Sequence, residues 1–550
     1  MNRRVAYLRK VSGGREPACH GCAGLSFRVR VFWLIVLSAA LPVSSRADEV
    51  DEVLRERVEA MRGVASVTAA GQSITARVVL PELYERHDFA PLWGKPGSVA
   101  ELLRAIEESR DDGLDPADYH LRALQNLHAP APDDAKAAVD RDILLSDAFV
   151  RLAYHVRFGK VDPEALDPNW NFSGALEPTG DRYAAVLRAL DEGRVRDFIE
   201  GLKPQQPLYR NLKATLLDYR RIAAAGGWKS VASGPALKPG MHDPRVPALR
   251  SRLAVTGDMA VTDASGTSLD YDEKLVAAVK VFQERHALTA DGTIGASTIK
   301  AMNVPVQERI EQIRATLERC RWVMHDLPDR FVLVNIAAFT AYLMDKGGPV
   351  WETAVVVGTP YTKTPVFRAD MTYVVINPTW TVPASIVRKE IRPGMRRDRR
   401  YLEKKGMREV DGQIVQKSGE RNALGRIKLV FPNPHSVYLH DTPSKSYFNE
   451  TTRTFSHGCV RVQKPFELAA RVLDDPQWST QAILDQVATG KTRTVHLKRP
   501  IPVLILYWTA AVGRDGRTYF LPDVYGRDAG IIRGLKGEFT LRKLARRASK

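Results

Sequence analysis

The chain has 550 residues, of which 44% are hydrophobic and 26% are charged, and its formal charge is +17. This length predicts two to four domains with ample cores, and the composition is that of a soluble globular protein. The sequence contains neither zinc-finger spacing nor an aromatic RNA-binding motif, so the charge does not indicate a nucleic-acid module. The positive excess suits an anionic polymer surface, although a solvated basic face would have the same composition.

The first 47 residues predict a cleavable export signal. They hold eight basic residues and one acid, which accounts for seven of the net positive charges. Arg28 and Arg30 precede the apolar run 31–37, and Ser45 and Ala47 are small residues where a signal peptidase would cleave. The run is too short to span a bilayer comfortably. We therefore expect a periplasmic protein with no integral membrane span after signal cleavage.

Four cysteines are present, and two of them, Cys19 and Cys22, lie in this leader. Of the remaining two, Cys320 continues the helical spacing of the apolar residues from 310 to 317, which predicts a core position. Cys459 is then a thiol available for chemistry. A disulfide between Cys320 and Cys459 is the alternative, and it would silence that thiol.

Residues 48–232 predict a largely helical domain. Apolar residues recur at helical spacing from 102 to 106 and from 143 to 158, where Gly159 is a stop signal. Aromatic residues between 84 and 93 are predicted to lie in the core. Glycine, serine and proline between 226 and 235 mark the linker that follows.

Residues 237–303 predict three short helices around one small core. The first contains Leu249 and Leu253, the second contains Leu275 and Phe282, and the third covers about 296–302 after a glycine-containing turn. This segment resembles the peptidoglycan-binding type 1 module in the residues Phe282, Gln283, His286, Leu288, Asp291, Gly292, Ile294, Gly295 and Thr298. The alternative is a helical spacer without affinity, since a fold does not establish binding.

From residue 330 onward the pattern changes to strands. Runs rich in β-branched residues at 331–336, 354–357, 373–377 and 428–431 are separated by glycine and proline, which predicts a β-rich domain. A highly charged insertion interrupts it between 386 and 422. After this, Pro465 begins an apolar helical pattern that we expect to pack behind the preceding loop.

The stretch from Tyr438 to Arg461 carries the chemistry. Cys459 supplies a thiol, and a thiol attacks a carbonyl only as its thiolate, so it needs an imidazole such as that of His440 to take its proton. If 436–440 is a strand, Tyr438 and His440 share one face while the residues between and before them point into the core. Gly458 allows a sharp turn that would direct nearby backbone amides at one oxyanion.

These residues resemble the catalytic signature of the L,D-transpeptidases of the YkuD type: His440-Asp441-Thr442-Pro443, a spacer, then Ser456-His457-Gly458-Cys459-Val460-Arg461. The segments 357–365 and 377–383 also match that family. Tyr438 lies two residues before His440, and in this feature the chain resembles the large Gram-negative branch of the family. The resemblance implies a multidomain α+β protein with a helical scaffold domain (48–232), a peptidoglycan-binding module (237–303), a β-rich YkuD-like catalytic domain (310–505) with a capping insertion (386–422), and a C-terminal extension (506–550) with a basic tail.

The resemblance also implies roles for individual residues. Cys459 would be the nucleophile and His440 the group that accepts and returns the proton, with the backbone of His457 and Gly458 in the oxyanion hole. Tyr438 would orient His440 or bind substrate; the alternative is a packing role. Arg461, Trp380 and Asn377 would bind substrate, with a structural ion pair as the alternative for Arg461 and a core position for Trp380. No cofactor or metal is implied.

The implied activity is formation of 3-3 cross-links in peptidoglycan through a thioester on Cys459, with release of D-alanine. The partners would be stem peptides and glycan, and a peptidoglycan synthase complex is a further partner to consider. The same thiol could instead hydrolyse the bond as an L,D-carboxypeptidase or attach a lipoprotein to the wall. Two further alternatives to a transpeptidase are open. One is a zinc peptidase in which His440, Asp441, His457 and Cys459 bind the metal. The other is an inactive scaffold bound to the cell wall, which would have the same order of domains.

Overall fold

The computed structural model describes residues 46–538, except 65, 128–133, 169, 173–180 and 265. The predicted export signal up to residue 45, its two cysteines and the end of the basic tail therefore lie outside the described residues. Within the described part of the chain, no helix is both long enough and apolar enough to cross a membrane.

The amino-terminal region is helical, as its sequence predicts. Its elements are α1 (Arg46–Ala60), β1 (Thr68–Ala69), β2 (Gln72–Ser73), α2 (Leu80–Glu85), α3 (Ser98–Glu108), α4 (Leu121–Asn126), α5 (Ala135–Phe158), α6 (Pro163–Leu166), α7 (Arg182–Asp191), α8 (Val195–Gly201) and α9 (Pro207–Ala224). The long helix α5 begins where the Asp134 side chain accepts a hydrogen bond from the Lys136 amide, and it ends at Gly159, whose φ is +84°. The predicted stop is therefore confirmed.

The small module contains the three predicted helices and a fourth short one: α10 (Val246–Val255), α11 (Val261–Ala264), α12 (Glu273–Arg285) and α13 (Ala296–Met302). It has its own apolar core. The module is also docked on the rest of the protein, because His286 stacks between Phe282 and Phe520, with ring centroids 3.9 and 5.7 Å away. Arg285, paired with Asp258, donates to the Thr518 carbonyl at 3.1 Å.

A long helix, α14 (Val306–Val323), leads into the first strands of the catalytic region: β3 (Arg330–Asn335), β4 (Thr340–Asp345), β5 (Gly348–Gly358) and β6 (Phe367–Ile376). The charged insertion follows as β7 (Trp380–Thr381), α15 (Ala384–Ile386), a π-helical turn (Val387–Ile391), α16 (Arg392–Arg397), α17 (Tyr401–Lys404), β8 (Met407–Val410) and β9 (Gln413–Gln416). We call residues 380–416 the cap. Because β7 pairs with β9, this unit begins before residue 386.

The remaining elements are β10 (Ile427–Val430), β11 (Leu439–His440), β12 (Thr454–Ser456), β13 (Val460–Val462), α18 (Pro465–Leu473), α19 (Thr480–Ala488), β14 (Arg493–Leu506), β15 (Ala510–Val512), β16 (Thr518–Phe520) and α20 (Asp528–Lys536). The main sheet has the order β12-β5-β13-β11-β10-β6-β14-β3-β4, and it closes through a further pairing of β5 with β4. The short strands β10, β11 and β13 lie side by side in it. β11 contains His440, β13 contains Arg461, and Cys459 directly precedes β13.

The described residues form three apolar cores. The largest is continuous from the amino-terminal helices through α14 to the main sheet. The module and the cap have small cores of their own, and the core of the cap consists of Val382, Ile391 and Ile414 with partly buried neighbours. The multidomain α+β fold is thus confirmed, and the helical region and the catalytic sheet share one interior.

A buried arginine joins α14 to the amino-terminal helical region. Arg321 of α14 is fully buried, pairs with Glu318 at 2.7 Å, and donates to the Asp112 carbonyl at 2.8 Å. Removing its charge would leave the buried Glu318 carboxylate without the cation that it pairs with. We expect Arg321→Leu to lower the free energy of unfolding by about 3–5 kcal/mol, measured by urea denaturation followed by tryptophan fluorescence.

The matched control is Arg400→Leu, because Arg400 forms an exposed pair with Glu403 at 3.1 Å. This control should lower the free energy of unfolding by less than about 1 kcal/mol. Equal losses in the two variants would contradict the assignment of Arg321 as a link within the core.

Candidate active site

The registers of three strands bring the motif residues together. In the antiparallel pair β10–β11, Lys428 lies opposite His440, and in the parallel pair β11–β13, His440 lies beside Arg461. Because side chains alternate along a strand, Tyr438 and Cys459 emerge on the same face as these three. We call this the catalytic face.

The opposite face of the same strands is apolar. Leu429, Leu439 and Val460 are all completely buried. The predicted sharing of a face is confirmed, since the rings of Tyr438 and His440 lie 5.7 Å apart in an edge-to-face arrangement. The strand is shorter than predicted, however, because Ser436 has a φ of +53° and the chain turns there.

Cys459 is half-buried at the edge of this face. Its Sγ–H points at the Ser436 carbonyl, 3.6 Å away, and within the described residues it makes no hydrogen bond to His440. Burial raises the pKa of the thiol. Hydrogen bonds from the backbone and side chain of Tyr438, and the charges of Lys428 and Arg461, act in the opposite direction.

His440 is buried, and its Nδ1–H donates to the Asp441 carbonyl at 2.5 Å. A carbonyl can only accept, so this bond fixes the tautomer and makes Nε2 the nitrogen that can take a proton. Burial, and then the charge of Arg461, lower the pKa of His440 to about 4. At neutral pH the resting pair is therefore a neutral thiol and a neutral imidazole.

Hydrogen bonds hold the loop that carries Cys459. The Ser456 hydroxyl donates to the Cys459 carbonyl at 2.5 Å and accepts from the Gly458 amide at 3.1 Å. Gly458 has a φ of +118°, which favours glycine over any other residue. The Gly458 N–H was predicted to donate to the oxyanion. It donates to the Ser456 hydroxyl instead, so this part of the prediction is wrong. Within the described chain, the amides of His457 and Cys459 have no acceptor.

A second set of contacts supports this loop from behind. The Thr364 hydroxyl donates to the Gly458 carbonyl at 2.8 Å, and the Tyr525 hydroxyl donates to the Gly358 carbonyl at 2.6 Å while accepting from the Thr364 amide. Sequence reasoning missed these residues. Tyr525 belongs to the C-terminal extension, and no local motif connects it with a loop that lies 67 residues earlier in the chain.

The cap touches the loop through one polar contact. His457 Nε2 lies 2.6 Å from Glu390 Oε1, and both side chains are about half exposed. Glu390 sits on the π-helical turn of the cap, and such turns are frequent at functional sites. The side chain of His457 is thus engaged with the cap.

Three residues were predicted to bind substrate. Arg461 is half-buried, lies 5.8 Å from the centre of the Tyr447 ring, and forms no ion pair within the described residues. Trp380 is half-buried, packs on the core of the cap, and contacts the side chain of Tyr438. Both are placed beside the catalytic face.

Asn377 is placed differently. It is completely buried, and its side-chain amide donates to the carbonyls of Gln486, Val487 and Lys491 while its oxygen accepts from Arg426 at 2.9 Å. All of its polar atoms are engaged inside the protein. This burial argues against the predicted contact with substrate and indicates a structural role.

Lys428 and Asp441 are two further residues of the site, and the family resemblance gave neither of them a role in acyl transfer. Asp441 is buried, accepts from the Arg426 amide at 2.9 Å, and forms an ion pair with Lys445. It thereby fixes the carbonyl that orients His440. In the sequence, Asp441 could have been found because it directly follows His440. Lys428 could have been found because it is the single charged residue in the apolar strand β10.

Comparisons with known proteins agree with this geometry. Family models match residues 79–216 as "Scaffold domain", 242–302 as "Putative peptidoglycan binding domain" and 329–503 as "L,D-transpeptidase catalytic domain" of the YkuD type. Residues 329–503 belong to the L,D-transpeptidase family.

One curated relative extends over most of the chain. It is a protein of Haemophilus influenzae named "Putative L,D-transpeptidase", which is 24% identical over 478 residues, covering 82% of this chain and 78% of the relative. A crystal structure of an L,D-transpeptidase (residues 123–326) from Xylanimonas cellulosilytica is 16% identical and covers 50% of this chain and 99% of that one. Its TM-score of 0.17 is too low to support a conclusion about the fold.

A disulfide would silence the Cys459 thiol, and a zinc site would make it a metal ligand. Cys320 and Cys459 are both free thiols, and Cys320 is completely buried, as its spacing predicts. Among the described residues, no cluster of three or more histidine, cysteine, aspartate or glutamate side chains is arranged to hold a metal ion.

The neutral resting state of the L,D-transpeptidase pair has a measurable consequence. Since burial raises the pKa of the Cys459 thiol, its reaction with iodoacetamide should become about tenfold faster with each pH unit from 6 to 8, without a plateau. The rate is followed by mass spectrometry of the peptide that contains Cys459, with glutathione alkylated in parallel as a free-thiol control. A rate that is already constant below pH 7 would instead indicate a resting thiolate–imidazolium pair.

Proposed function

We propose that this protein is a periplasmic L,D-transpeptidase that joins peptidoglycan stem peptides through a thioester on Cys459. The observation that carries the proposal is the common face of Cys459, His440 and Tyr438 within a domain of the L,D-transpeptidase family. The match of a peptidoglycan-binding domain supports the polymer as the substrate. The export signal predicted at the amino terminus supports the periplasm.

In the first half-reaction a tetrapeptide stem is the donor. Rotation about the Cα–Cβ bond turns Sγ of Cys459 from the Ser436 carbonyl toward His440, whose Nε2 takes the proton. The sulfur attacks the carbonyl that joins the third residue to the terminal D-alanine. The carbon–nitrogen bond then breaks, His440 returns its proton to the departing amine, and D-alanine leaves behind a thioester.

The tetrahedral intermediate carries a negative oxygen. The amides of His457 and Cys459, which have no acceptor among the described residues, are the donors we assign to it. Such donors each contribute about 3–4 kcal/mol in enzymes that use them. Gly458 acts through its left-handed backbone, which presents its neighbours' amides. The loop is held in this shape by Ser456 and Thr364 before substrate binds.

The second half-reaction needs an amine. The neutral side-chain amine of diaminopimelate on another stem attacks the thioester, and its nitrogen gives up a proton to His440 as the new bond forms. The carbon–sulfur bond then breaks, His440 returns the proton to the Cys459 thiolate, and the product is a 3-3 cross-link. Arg461, a cation without an acidic partner among the described residues, is positioned to hold a stem carboxylate. The basic cap contacts Tyr438 through Trp380 and His457 through Glu390, and it would exclude the water that competes with the amine.

The cap restricts how a donor can enter. Because His457 contacts Glu390, substrate must either fit beside this bridge or displace the cap. A lipoprotein or a free D-amino acid could replace the second stem as the acceptor, because any acceptor meets the same acyl-enzyme. A synthase complex that supplies the donor stems is compatible with this chemistry.

The assignment is tested with the purified full chain, sacculi rich in tetrapeptides, and mass spectrometry of the digested products. The wild type should form 3-3 dimers and a mass adduct on Cys459. Cys459→Ala should abolish both. His440→Gln should slow dimer formation by about 10²–10⁴-fold, the usual contribution of a general base.

His242→Gln serves as the matched control, because His242 is an exposed histidine of the small module, paired with Asp270 at 2.9 Å. It should form dimers at the wild-type rate. Trimmed tripeptides without dimers would identify an L,D-carboxypeptidase instead. Dimers formed by Cys459→Ala would overturn the nucleophile assignment.

A further inference from the structure

Lys428 is an unusual lysine. It lies within the main sheet, is half-buried, and has neither an ion-pair nor a hydrogen-bond partner among the described residues. Lysine is seldom placed inside a protein without a carboxylate to balance it. Burial lowers its pKa, as expected for an ammonium group partly removed from water. The sheet must therefore offer this charge some other compensation.

One compensating contact is the ring of Tyr438. The Lys428 Nζ lies 3.8 Å from the centre of that ring, which is within the range of a cation–π interaction. Lys428 is the cross-strand partner of His440 in the β10–β11 pair, so its ammonium group lies on the catalytic face. Tyr438 is thus in contact with both Lys428 and His440.

The second compensating group is the sulfur. The positive charge of Lys428 lowers the pKa of the Cys459 thiol, and a thiolate at Cys459 raises the pKa of Lys428 in return. Arg461 acts on the thiol in the same way from the neighbouring strand β13. Among the described residues, the charged and titratable groups that act on the sulfur are Lys428, Arg461 and Tyr438. His440 lies on the same face through the register of β11 with β13.

We propose that Lys428, held on the ring of Tyr438, is a positioning residue that supplies the positive charge needed to stabilise the Cys459 thiolate during acyl transfer. The inference rests on the proposed role of Cys459 as the nucleophile. Cys459 is partly buried, and its ionisation has to be stabilised by fixed charges. Lys428 meets this need, and no carboxylate among the described residues forms an ion pair with it. The uncharged thiol gains less from this charge, so the charge favours the reactive form.

The test measures the thiolate directly. In the full chain, iodoacetamide alkylation of Cys459 is followed by peptide mass from pH 6 to 10 for the wild type, Lys428→Met and Lys428→Arg. Lys428→Met should shift the titration midpoint upward by about one pH unit and slow alkylation at pH 7 about tenfold, because the rate follows the thiolate fraction. Lys428→Arg, which keeps the charge, should restore the rate to within about threefold of the wild type.

Two controls separate this effect from loss of structure and from His440. Lys300→Met, at an exposed lysine on α13, should have the wild-type profile. In a His440→Gln background, Lys428→Met should still slow alkylation about tenfold, because the charge acts on the sulfur and not through the imidazole. If Lys428→Met does not fold, Lys428→Gln replaces it under the same criterion.

A wild-type alkylation profile for Lys428→Met would overturn the proposal, and so would equal slowing by Lys428→Met and Lys428→Arg. Because alkylation needs no peptidoglycan, the result does not depend on the products formed from sacculi. Failure to form 3-3 dimers would contradict the proposed function, but it would not contradict the effect of the Lys428 charge on the pKa of the thiol. The two failures are therefore distinguishable.

Discussion

The register between β10, β11 and β13 is the constraint on which the rest of the site depends. A shift of one residue in either pair would exchange the two faces, sending His440 into the core and Leu439 toward substrate. The fully buried Leu429, Leu439 and Val460 oppose such a shift, because each would have to leave the apolar interior. A purely apolar packing requirement on one face thus fixes the positions of the reactive groups on the other.

Charge at the catalytic face is arranged for a reaction that starts from neutral groups. Burial favours the neutral forms of both Cys459 and His440, so the resting site stores no ion pair. The cations beside the sulfur, Lys428 and Arg461, favour ionisation of the thiol once a proton acceptor is in place. This arrangement differs from one in which a preformed thiolate waits for substrate, and it limits reaction of the thiol with other electrophiles.

The loop that carries Cys459 is built from distant parts of the chain. Thr364 follows β5, Tyr525 belongs to the C-terminal extension, and Glu390 belongs to the cap. The apolar core is continuous from the amino-terminal helices through α14 to the sheet. The catalytic domain is therefore one part of a larger folded body, and a variant far from Cys459 in sequence can still alter its loop.

Much of this could be predicted from the sequence, because it depends on local patterns. Helical spacing and the stop at Gly159 predicted α5, three apolar repeats predicted the helices of the module, and β-branched runs predicted β3, β5, β6 and β10. The thiol, the imidazole and the glycine were found by residue type and order. Such features follow from interactions between near neighbours, which a linear pattern records.

The tertiary structure alone decided which polar groups were free to act. Asn377 matched a family segment but is buried with every polar atom engaged, and the Gly458 amide is taken by Ser456. Lys428 had no motif, yet it lies against Tyr438 because β10 pairs with β11. Whether a donor or a charge is free depends on its partners across strands and loops, and those partners are distant in sequence.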